Sequence, residues 1–89
     1  PQRIVLAGLA QIPRDSRLAG AIRSALAWTG RNGCEPELHE QAFAWMQAEF
    51  GSYQTVHTIP NAVLCALAVL LSRGDFHHGI TLAVMGGLD

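Results

Sequence analysis

The chain contains no lysine. Its six basic residues are all arginines (Arg3, Arg14, Arg17, Arg23, Arg31 and Arg73), spread along 89 residues against seven acids. A nucleic-acid surface needs a contiguous basic stripe to displace counterions, so this scatter argues against one. Charge of either sign is scarce: 15% of residues, a formal net charge of -1 and a pI near 6.5. Cysteine is scarce too. Cys34 and Cys65 lie far apart and lack zinc-type spacing, which reads most simply as two reduced thiols in a cytoplasmic protein. No apolar run is long enough for a membrane, since the longest, 62–71, is roughly half of the ~20 residues a spanning helix needs. Period-two alternation, internal repeats, low-complexity tracts and linkers are also missing, which leaves a single all-α domain.

Apolar residues are what the chain has in quantity, 49% of the total. Few free-standing domains of this size expose so little polar cover. The chain also opens without a Met and closes on a glycine-rich loop. The expectation is a piece of a longer all-α protein, 1–89 being part of one domain truncated at both ends, with some apolar surface packing on the rest. A missing N-terminus would also hide a signal peptide.

Helical spacing organises the segments. Val5, Leu9 and Ile12 recur on one face over 2–12, and Pro13 ends the pattern. Asp15 or Ser16 can cap the next helix, whose stripe is Leu18, Ile22, Ala25, Leu26 and Thr29. Gly30-Arg31-Asn32-Gly33 stops it. Pro36 can open a third helix, with Glu35 and Glu37 near its positive end and an apolar stripe of Leu38, Ala42, Trp45, Met46 and Phe50. Gly51 closes that helix. After a loop carrying Tyr53 and His57, Thr58-Ile59-Pro60-Asn61 starts a fourth helix. Its run 62–71 predicts burial on all sides. Arg73-Gly74-Asp75 breaks it, with Asp75 as the cap of a second apolar core helix through Ile80, Leu82 and Met85.

Most candidate chemistry reduces to bland roles. His39-Glu40 begins a zinc-protease pattern, but Phe43 stands where the second histidine must lie one turn on, so the match fails. His77 and His78 are adjacent, about 100° apart on a helix, and cannot chelate together easily. No Gly-x-Ser-x-Gly or phosphate-cradling loop is present. Cys65 lies inside the most hydrophobic helix, which suits a small apolar thiol and not an activated thiolate. His57, just ahead of a helix N-terminus, is open between capping that helix and reaching into a pocket. Asp89 follows Gly86 and Gly87, which let a backbone bend and approach a ligand. A carboxylate on such a turn suits Mg²⁺, Mn²⁺ or Ca²⁺, although one carboxylate does not hold a metal alone.

Three ordered motifs stand out: His-Thr-Ile-Pro-Asn-Ala at 57–62, Gly-Asp-Phe at 74–76 and Ala-Val-Met-Gly-Gly-Leu-Asp at 83–89. Together they resemble the ADP-ribosylglycohydrolase family. Gly-Leu-Ala-Gln-Ile-Pro at 8–13 and Ser-Arg-Leu-Ala at 16–19 extend the likeness over essentially the whole chain. The resemblance implies part of a larger orthogonal helical bundle holding a binuclear Mg²⁺ centre. Family ligands come from an early Thr-Asp-Asp motif and a late Asp-Thr-Asp motif. Asp89 matches the first aspartate of the late one, and Leu88 stands where relatives commonly have Trp or Gly.

The implied reaction is hydrolysis of the glycosidic bond between ADP-ribose and a protein side chain or small acceptor. The two metals would grip the ribose hydroxyls and polarise a water. Gly86, Gly87 and His57 become substrate-pocket candidates. The 89 residues alone, lacking most ligands, are expected to be inactive. Two other readings stand beside this one: a relative that binds ADP-ribose or a nucleotide without hydrolysing it, and a purely structural helical module.

Overall fold

We describe residues 1–51 and 59–86 from a computed structural model of the chain. The described residues are all-helical. The elements are α1 (Gln2–Leu9), α2 (Arg17–Asn32), a 3-10 turn (Pro36–Leu38), α3 (His39–Phe50), α4 (Ile59–Ser72) and α5 (Phe76–Met85).

Side-chain and backbone caps set most of the boundaries. The Ser16 hydroxyl accepts the Ala19 N–H at 3.1 Å and donates to the Pro13 carbonyl at 2.8 Å. It thereby supplies one of the partners that a helix start lacks and pins the preceding turn. At the other end of α2, the Gly33 N–H returns to the Thr29 carbonyl at 2.8 Å with φ at 105°. Asp75 caps α5 as the sequence predicts, its carboxylate accepting the His78 N–H at 3.0 Å. Between α4 and α5, Arg73 and Gly74 take φ of 56° and 90°. Two successive left-handed residues reverse the chain sharply, and glycine at the second removes half of the steric cost.

Three boundaries differ from the sequence reading. Helix α2 runs on through Gly30, Arg31 and Asn32, so that Gly33 alone stops it. The other two lie at the end of α1 and the start of α3. Helix α1 stops at Leu9 and does not reach Ile12. Pro13 disfavours helical geometry in the residue before it. The chain therefore tightens into turns, with Gln11 N–H to Gly8 O at 3.0 Å and Ile12 N–H to Leu9 O at 3.3 Å. Pro36 opens a 3-10 turn, and α3 begins only at His39.

Helix α4 is the centre of the packing, touching α1, α2, α3 and α5. Its Val63, Leu64, Leu67 and Leu71 are fully buried, joined by Met46 of α3 and Leu82 of α5. Full burial of such side chains contributes about 1.5–3 kcal/mol each. The most extensive pair is α2 with α4. Here α2 turns Ala19, Ala21, Ala25 and Trp28 inward, while Leu18, Ile22 and Leu26 are only half-buried. The buried stripe is thus shifted toward the alanines and Trp28. Alongside, Trp28, Trp45 and Phe50 form a chain of ring contacts, with centroids 6.2 and 5.7 Å apart. The buried hydroxyls of Thr29 and Ser72 donate to Leu26 O and Val69 O three residues back, so neither is left bare in the core.

The expectation of two core helices fails in part. Helix α4 is not buried on all sides, since Cys65 is exposed and Ala62 and Val69 are half-buried along one stripe. Helix α5 buries Leu82 fully, while Phe76, Ile80, Val84 and Met85 stay exposed. Besides Leu82, its contact side carries small residues. A side chain at Gly79 would begin 3.5 Å from Ser72, and Gly86 lies directly against Leu64 and Phe43.

Candidate functional site

The Gly-Gly-Leu-Asp run after α5 is the candidate site, and Gly86 is the part of it that the structure describes. Asp89, Gly87 and His57 lie outside the described residues. Gly86 closes α5, its N–H donating to Leu82 O at 3.0 Å, with φ at -80° and ψ at -7°. That backbone is open to any residue, so conformational freedom does not explain the glycine. Space does. A Cβ at residue 86 would collide with Leu64 Cδ1 and come within 3.3 Å of the Phe43 ring. Helices α3 and α4 therefore hold the start of the Gly-Gly-Leu-Asp run against the core.

Phe43 accordingly has a defined place. It occupies the position a second metal-binding histidine would need, and there it packs in the core against the end of α5. His39, one turn earlier, sits with its ring centroid 6.0 Å from that of Phe43, edge to face. Its Nδ1 lies 3.0 Å from the Pro36 carbonyl, which ties it to the 3-10 turn. His77 is exposed beside Phe76, while His78 is half-buried and gives its backbone N–H to Asp75. Among the described residues no three His, Cys, Asp or Glu side chains gather closely enough to hold a metal ion.

The sequence predicts Cys65 in a buried helix, whereas the structure leaves it exposed. Both cysteines are free and exposed. Cys65 opens onto an apolar groove of about 270 Å³ between α1, α4 and α5, with Ile4, Val69, Phe76, Ile80 and Ala83 among its walls. Partial desolvation by those walls pushes the thiol pKa up. Burial disfavours the charged form, so the thiolate is suppressed, which agrees with the expectation that this cysteine is not activated. The groove offers little chemistry. Its carboxylate, Asp75, accepts the His78 N–H, and its hydroxyl, Ser72, is committed to Val69 O.

This groove follows α5 from its cap to Ala83, whereas Gly86 closes the far end of the helix on α3 and α4. The two are separate features. Phe76 and Ile80, apolar and four residues apart, are the sequence signal for one wall of this groove. No described helix is long and apolar enough to cross a membrane. In comparison with known proteins, no family model, curated protein or solved structure matches this chain.

Proposed function

We propose that these 89 residues belong to an ADP-ribosylglycohydrolase-like enzyme. It would hydrolyse the glycosidic bond joining ADP-ribose to a protein side chain or small acceptor, with Mg²⁺ as cofactor and Asp89 as one metal ligand. The observation that carries the proposal is the order of five motifs, at 8–13, 16–19, 57–62, 74–76 and 83–89, over nearly the whole chain. An all-helical architecture is compatible with it. Further support comes from local roles inside those motifs: Ser16 and Asp75 cap helices, Pro60 sits in the first turn of α4, and Gly86 has no room for a side chain.

The described residues do not by themselves make a binuclear centre, and a single carboxylate does not hold two cations. The proposal therefore requires further acidic residues outside these 89. Gly86, Gly87 and His57 remain pocket candidates within it. Substrate would be an ADP-ribosylated protein or an ADP-ribose-containing small molecule.

The test is Asp89→Ala in the full-length enzyme of the proposal, reading Mg²⁺-dependent release of ADP-ribose from an ADP-ribosylated peptide. Loss of an outer-shell partner of a metal ligand commonly costs about 10–100-fold in affinity or activity, so removing a ligand should exceed that range. The helical circular dichroism signal should persist. Unchanged turnover at limiting Mg²⁺ overturns the ligand assignment. Release by the 89 residues alone should be absent, and robust Mg²⁺-dependent release by them contradicts a site shared with other chain segments.

A further inference from the structure

We draw no further inference here: the strongest candidate, the apolar groove between α1, α4 and α5 onto which Cys65 opens, carries nothing because nothing in the structure shows what covers it.

Discussion

Helix α4 buries nine of its fourteen residues, whereas α5, nearly as apolar over its ten, buries Leu82 alone among its side chains. Composition does not separate them; the arrangement of large and small residues does. Large side chains surround α4, and neighbours on several sides absorb them. On α5 the packed side is Gly79, Leu82 and Ala83, with Gly86 just past the helix end, so a single large side chain enters the core. Phe76, Ile80 and Val84 are left 77%, 52% and 51% exposed, the first two on the wall of the apolar groove.

The sharpest way to break this comparison is to cut into α4. Leu67 is fully buried at the middle of the helix. Leu67→Ala removes its transfer energy and leaves a cavity, so unfolding in urea should show a loss of about 2–5 kcal/mol. A loss below about 1 kcal/mol would mean that α4 is not the centre on which the other helices close.

Overpacking at the end of α5 comes next. Gly86→Ala forces Leu64 or Phe43 to move and should cost about 1–3 kcal/mol. Gly30→Ala is the control, because a Cβ there meets nothing within 4 Å and the residue is helical. That change should be neutral or stabilise by up to about 1 kcal/mol. Equal responses of the two variants in thermal unfolding would remove the packing explanation for Gly86.

A smaller and more local effect is expected at the start of α5. Asp75→Ala deletes the acceptor of the His78 N–H and should cost about 1 kcal/mol. Because α5 has so little side-chain burial, the loss should appear as faster amide hydrogen exchange within 76–85, with exchange in α4 nearly unchanged. Equal acceleration in both helices would show that they open as one unit.

Much of the fold was legible in the residues. Asp75 was readable as a cap, and Ser16 as one of two candidates with Asp15, because a short oxygen-bearing side chain ahead of an apolar run has few other local uses. Gly33, Gly51 and the Arg73-Gly74 break were readable as stops. The inward face of α2 was legible in part: Ala25 and Thr29 of the expected stripe are buried, but Leu18, Ile22 and Leu26 are half-buried, and Ala19, Ala21 and Trp28 go inward in their place. Its large apolar residues made α5 look like a core helix. Of the candidate site, Asp89, Gly87 and His57 rest on sequence alone. For Gly86 the sequence suggests turn freedom; its φ of -80° does not require glycine, and its contact with Phe43 and Leu64, forty-three and twenty-two positions earlier, is what a single chain segment cannot display.

The mildest prediction probes the outer side of α5. Ile80 is half exposed at the rim of the apolar groove. In Ile80→Gln the amide can reach water, and glutamine is at least as good a helix former as isoleucine. Surface substitutions of this kind usually stay within about 0.5 kcal/mol, so the urea midpoint should barely move. The same change at Leu67 would bury an amide without partners and should unfold the chain, which makes the pair a direct measure of the difference between the helices. If Ile80→Gln instead cost more than about 1.5 kcal/mol, the exposed stripe would be a packed surface under the conditions of the measurement. The contrast between α4 and α5 would then lie in what each packs against, and no longer in whether it packs.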